Sequence, residues 1–301
     1  MPTTAVTLRQ LEYFVATARA HSMAGAAAVL HVSPAAVSLG IAELERMLDA
    51  QLFRRVRHQP LVLTDSGADL LADASAVLAR VDELEARALA RTAALSGTVH
   101  LGCFTTLAPT YLPRLVSAMA DAHPDIRLEA TEGPLDLLQN DVLNGTLELA
   151  LLYGVDLRPG LAAERVGELR PYVVLPGDHR LAKRRKVHLA DLATEPMILL
   201  DAPPSRQHAT SVLAAAGVTP VVERVTQNFE TLRSFVARGH GWGFLVQRPR
   251  DDTSYEGLPL AAVAIADEVE PVAIVVATAA GARLSRRAQA CIGLCRTVVA
   301  A

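Results

Sequence analysis

Cysteine, long apolar runs and charge of one sign are all scarce in this sequence. Its three cysteines, Cys103, Cys291 and Cys295, are too few and too unevenly spaced for a disulfide framework. The last two lie four residues apart in an apolar, helix-like tail and read as small buried hydrophobes on one helix face, not as a redox or metal pair. Hydrophobic residues make up 51% of the 301 positions, but they fall as Ala, Leu and Val in periodic patterns. No continuous apolar stretch reaches the ~18 residues of a membrane span. The opening Met-Pro-Thr-Thr-Ala-Val-Thr-Leu-Arg-Gln has no basic segment followed by an apolar core, so a cytoplasmic protein with no membrane partner is expected.

Charge excludes a further class. With 29 Lys and Arg against 32 Asp and Glu, the net charge is −3. The chain therefore cannot coat nucleic acid by bulk positivity, and any contact with it must come from a local patch. The nine histidines show no metal-ligand spacing, and no Gly-x-Ser-x-Gly elbow or ordered Ser, His and Asp set can be picked out. Neither an enzyme nor a bound metal or cofactor is expected. The length predicts two or three modules.

The first 66 residues carry the clearest local signals. Thr7-Leu8-Arg9-Gln10 is a capping box, followed by Leu8, Leu11, Phe14, Val15 and Ala18 at helical spacing. Ser22 can cap a second, short helix of small residues through Leu30. Ser33 can cap a third, with Pro34 at its first position, where the missing donor costs nothing. Val37, Ile41, Leu44 and Leu48 mark that helix's inward face. A short helix, a tight turn and a longer capped helix make a helix-turn-helix. The next stretch makes a wing: Leu52-Phe53, then the basic Arg54-Arg55-Val56-Arg57-His58-Gln59-Pro60, then the strand-like Leu61-Val62-Leu63. Arginines here can neutralise phosphates or enter a narrow minor groove.

In register over many positions, these residues resemble the winged helix-turn-helix of LysR-type transcriptional regulators: Ala27-Ala28, Leu30-His31-Val32-Ser33, Ala36-Val37-Ser38, Ile41, Leu44-Glu45 and Leu52-Phe53-Arg54-Arg55. Thr64-Asp65-Ser66-Gly67 is similar to the segment that follows the wing in that family. Pro34 stands where the family usually has Gln or His, and Leu39-Gly40 replaces a pair that is usually polar or basic. Direct reading of base edges by this helix is therefore expected to be thin. The expected duplex contacts are Ser22, Ser33, Pro34, Ala35, Ser38 and Leu39 from the helices, with Arg54, Arg55, Arg57 and His58 from the wing. Ser33 and Ser38 would fix register, Ala35 and Leu39 would meet thymine methyls, and Arg55 and Arg57 would hold the backbone or minor groove.

Behind the wing, Leu70, Ala74, Val77, Val81, Leu84 and Ala88 alternate steps of four and three, which is a heptad seam. Such a stripe can also pack on its own domain. Its place between modules favours dimerisation, and the resemblance implies homodimers or homotetramers, with RNA polymerase a further partner.

From Ser96-Gly97 onward, β-rich runs alternate with helical ones in two successive halves, the pattern of parallel sheets with crossovers. Gly97-Thr98-Val99-His100-Leu101-Gly102, Tyr111-Leu112-Pro113, His123-Pro124-Asp125-Ile126 and Gly145-Thr146-Leu147-Glu148-Leu149-Ala150 resemble landmarks of the LysR-type effector domain, with Glu148 where Asp is usual. The implied architecture is α/β overall. An all-α-type winged helix-turn-helix spans residues 1–66, a linker helix 67–95, and a two-lobed domain like periplasmic binding proteins 96–301. Lobe I would hold about 97–165 and 276–301, and lobe II 166–275.

Ligands of open α/β sheets sit beyond the strands' carboxyl ends. This places Thr105, Thr106 and Tyr153 opposite Ser205, Arg206 and Asn228 around a small-molecule effector, expected to be a small carboxylate or another polar anion. Those hydroxyls and the amide could instead simply cap helices. Gly239-His240-Gly241-Trp242-Gly243 follows a helix and precedes a strand, the reverse of a dinucleotide fingerprint, and reads as a turn. A solute-binding protein or enzyme would explain the lobes but not residues 7–66, and a winged-helix regulator of another family would explain the start but not the lobes.

Overall fold

The computed structural model describes residues 6–54, 61–89 and 95–300. Helices α1 (Leu8–Ala20), α2 (Met23–Val29) and α3 (Pro34–Leu48) start where the caps predict. The Thr7–Gln10 capping box closes in both directions, the Ser22 hydroxyl accepts the Gly25 N–H at 3.0 Å, and the Ser33 hydroxyl accepts that of Ala36 at 3.2 Å. Phe14, Ala26, Val37, Ile41, Leu44 and Leu52 are buried together between them. Strands β1 (Phe53–Arg54) and β2 (Val62–Leu63) pair antiparallel as the base of the wing. The Glu45 carboxylate ties α3 to this wing by accepting the N–H groups of Leu52 and Phe53 at 2.7 and 3.2 Å.

Helix α4 (Asp65–Leu89) is the linker, 25 residues and so about 37 Å long. It divides the heptad residues into two groups. Ala74 is only 2% exposed and, with Leu71, belongs to the winged-helix core, while Leu70 packs against that core from its edge. The expectation that Ala74 joins a dimer seam is corrected accordingly: α1 packs against α4, and Ala74 is buried with Leu11 and Phe14 in the same core. Val77 and Leu84 remain exposed on the helix, and Val81 is half-buried. Ala88 lies in α4, but its side chain lies outside the described residues, as do Arg55, Arg57 and His58 of the wing.

The rest of the chain builds two sheets. Lobe I contains β3 (Gly97–Phe104), α5 (Ala108–Ala122), β4 (Ile126–Gly133), α6 (Leu135–Leu143), β5 (Leu149–Tyr153) and β6 (Leu161–Leu169). Lobe II contains β7 (Tyr172–Pro176), β8 (Lys186–Val187), β9 (Pro196–Leu200), α7 (Ser205–Ala215), β10 (Val221–Thr226), α8 (Phe229–Ala237), β11 (Trp242–Leu245) and β12 (Leu260–Ile265). The chain then returns to lobe I as β13 (Val272–Ala279) and α9 (Arg286–Ala300). The sheet orders are β4-β3-β5-β13-β6 and β10-β9-β11-β7-β12-β8.

Two expectations shift here. The sheets are mixed, not parallel: β13 runs antiparallel to β5 and β6, and β7 antiparallel to β11 and β12. The chain also changes lobe several residues away from 166 and 275, since β6 continues to Leu169 and β13 begins at Val272 in the lobe I sheet. Cys291 and Cys295 are buried on one face of α9 in the lobe I core, as their spacing suggests, and Cys103 is buried in β3. Gly239 and Gly241 take φ of +78° and +142° in a turn between α8 and β11. Among the described residues no single helix is long and apolar enough to cross a membrane.

Candidate functional site: an outward helix and an inter-lobe cleft

Two faces of the molecule carry candidate chemistry. On the first, Val37, Ile41 and Leu44 turn α3 so that Pro34, Ala35 and Leu39 point outward, Leu39 with 64% of its surface exposed. Arg46 is exposed further along the helix, a cation that the sequence reading passed over. Ser22 and Ser33 use their oxygens as cap acceptors, and each O–H remains to donate to a phosphate. Capping and phosphate contact are therefore compatible at these serines. Ser38 is half-buried beside Ile41 and Phe53, and Arg54 is exposed on β1. Gly40 is not a lost base reader. A Cβ there would stand 2.5 Å from the Tyr13 ring, so the glycine serves the close crossing of α1 and α3.

The second face is the cleft between the lobes. Of the six expected effector residues it brings together three, Thr106, Tyr153 and Ser205. Thr106 Oγ1 lies 3.0 Å from Tyr153 Oη, and burial holds that phenol far above its usual range, so it stays protonated. Ser205 sits in the first turn of α7. The other three are not among the residues that line it. Thr105 is exposed, Arg206 donates to the Asp201 carboxylate at 3.0 Å, and Asn228 caps α8 by accepting the Thr231 N–H at 2.9 Å. Leu200, Phe229 and Phe244 supply apolar walls, and Gln247 completes the lining. The carboxyl-end rule that found Thr106 and Tyr153 on β3 and β5 also points to Gln247, just past β11.

The winged domain rests on lobe I. Arg19 Nη1 lies 2.9 Å from His100 Nε2, and a cavity of about 300 Å³ beside this contact is bordered by Arg19, Ser75, Glu148 and Arg287. Burial, then the positive fields of Arg19 and Arg287, depress the His100 pKa to about 3. Glu129 lies 3.4 Å from Nδ1 at the partly exposed edge of this contact. The imidazole is neutral when folded but titrates near 6.5 when unfolded, so its contribution is fully present above pH 6.5 and is lost as pH falls toward 3. Unfolding free energy is therefore expected to fall by up to roughly 1.4 kcal/mol per pH unit below 6.5, capped by the cost of parting the two modules. Urea titrations at pH 7 and pH 5 should show a shallower pH dependence for His100→Gln. Equal slopes would refute the assignment.

A winged helix-turn-helix joined by a long helix to a two-lobed α/β domain, with a cleft between the lobes, defines a class of ligand-responsive DNA-binding regulators. Residues 8–68 match the model of the bacterial regulatory helix-turn-helix protein, lysR family, and residues 92–300 match the LysR substrate binding domain. The chain belongs to the LysR family of transcriptional regulators. The crystal structure of HinK, a LysR family regulator from Pseudomonas aeruginosa, is 33% identical over 98% of this chain and 99% of that one, with a TM-score of 0.66. A probable hydrogen peroxide-inducible genes activator of Mycobacterium avium is 33% identical over 70% of this chain and 68% of its own length. CbnR, solved full-length in complex with its target DNA, shares the fold at 22% identity, covering 97% of this chain and all of that one at a TM-score of 0.59. The chain is thus a DNA-binding transcriptional regulator with an effector-binding domain.

Proposed function

We propose that this regulator acts in the cytoplasm as a homodimer or as a homotetramer made of two dimers, reading a duplex through α3 and the wing and answering to a small molecule held between its lobes. The observation that carries this reading is the outward face of α3, with Ala35 and Leu39 exposed while Val37, Ile41 and Leu44 anchor the opposite face. Ser22, Ser33, Pro34, Ser38 and Arg54 flank it, and the wing sequence adds Arg55, Arg57 and His58. Exposed Val77 and Leu84 on α4 supply apolar surface for a second copy, and paired half-sites suit a symmetric assembly. RNA polymerase is the partner through which a bound regulator would act.

Ligand binding is favoured over thiol oxidation. All three cysteines are buried, and burial with the nearby Glu132 pushes Cys103 up to about 12, leaving almost no reactive thiolate at neutral pH. Within the cleft, Thr106, Tyr153 and Ser205 favour a polar ligand. Arg206, more than half exposed and paired with Asp201, does not line this cavity, which therefore offers an anion no cation. No enzymatic role is proposed.

A gel-shift titration on the DNA immediately upstream of the protein's own coding sequence tests the reading. Retention that weakens steeply with salt is expected, because phosphate contacts release counterions. Failure to retain any duplex, together with turnover of a substrate, would refute it.

A further inference from the structure

We infer that Gln247 sets the specificity of the cleft, and that the effector is an uncharged molecule with an apolar body and an adjacent donor and acceptor, as in a carboxamide or lactam. This rests on the reading that the effector sits between the lobes.

Gln247 is only 5% exposed, and its Oε1 is buried with no hydrogen-bond partner. An unpaired buried amide oxygen is costly and uncommon in a folded protein, and here it borders a cavity. The residue cannot simply turn away. Its Nε2 donates to Thr110 Oγ1 across the lobes at 2.7 Å, and its backbone carbonyl accepts the Tyr172 hydroxyl at 3.0 Å.

The remaining walls narrow the chemistry. Leu200, Phe229 and Phe244 are apolar, Thr106 and Tyr153 bond to each other, and no Lys, Arg, His, Asp or Glu is among the described residues that line this cavity. A carboxylate entering it would lose its hydration with no cation to meet it, which costs far more than desolvating a neutral amide. As it stands the cleft encloses about 20 Å³, room for a single water. Any larger guest must part the lobes and break the Gln247–Thr110 bond. A carboxamide replaces that bond and also satisfies Oε1, so both ends of the Gln247 amide are paired in the bound state and only one in the free state. The ligand therefore binds the parted arrangement selectively, which is the differential affinity any allosteric response requires.

The test uses the full chain and a matched pair of probes, benzamide and benzoate, at millimolar concentration with calorimetric or ligand-observed NMR detection. Benzamide is expected to bind at least roughly tenfold tighter than benzoate, and Gln247→Leu to remove that preference. Thr110→Val, which unpairs Nε2 in the free protein alone, is expected to tighten benzamide binding severalfold; a merely structural role for this bond would weaken it. Tighter benzoate, no benzamide binding at all, or an unchanged preference in Gln247→Leu would each overturn the inference. A gel shift on the same samples separates the two readings. Retained DNA binding with failed amide binding sinks only the ligand class, and amide binding without duplex retention sinks only the regulator.

Discussion

Replacing Leu39 with glutamate is expected to lower duplex affinity by about a hundredfold or more while leaving the fold intact. Leu39 projects from the middle of α3 with nearly two-thirds of its surface in solvent, one turn beyond Ala35. If this face enters a major groove, each subunit sets a new carboxylate among base edges and phosphates. One misplaced contact in such an interface costs about 1–3 kcal/mol, and a symmetric dimer incurs the cost twice. Folding gives no comparable penalty, because the anchoring side of the helix is untouched and exposed substitutions usually stay within about 0.5 kcal/mol. Fluorescence anisotropy with a labelled operator, paired with a thermal melt, separates the two effects. Wild-type affinity in Leu39→Glu would mean that α3 does not enter the groove. Leu39→Ala should cost far less, since it removes only apolar contact.

What was legible in the sequence depended on how local each signal is. Caps are decided within four residues, and Thr7, Ser22 and Ser33 each start a helix where the pattern places one. The heptad in α4 was ambiguous because a stripe of apolar residues does not say what covers it. In this fold α1 covers Ala74, while Val77 and Leu84 are left bare. The lobe boundaries moved because β6 and β13 are each other's partners across more than a hundred residues, a pairing no short window contains. In the cleft, strand ends located Thr106 and Tyr153, but Arg206 and Asn228 were claimed by neighbours at close range, Asp201 and Thr231. Gly40 looked like a missing polar reader only until Tyr13, 27 positions earlier, proved to lie over it.

The same dependence on distant neighbours makes Gly67→Ala the most damaging small substitution expected in the winged domain. Within a helix this change ordinarily stabilises by about 1 kcal/mol, because alanine is the better helix former. Here the sign reverses. A methyl at this position would fall inside any permitted distance from the Leu52 carbonyl oxygen and 3.0 Å from the Leu63 side chain. The carbonyl has no freedom to retreat: it accepts the Thr64 N–H at 3.0 Å, and the N–H groups of Leu52 and Phe53 are held by Glu45 at the end of α3. Relief must come from moving the start of α4 off the wing, which would expose Leu71 and open the core around Phe14 and Leu52. A loss of about 2–4 kcal/mol of stability is expected, with weaker DNA binding because the wing and α3 lose their common support. Denaturant titration of Gly67→Ala beside Ser66→Ala, an exposed neighbour expected to change little, checks the size and the cause. If both variants melt with the wild type, the linker helix does not seat through that close approach.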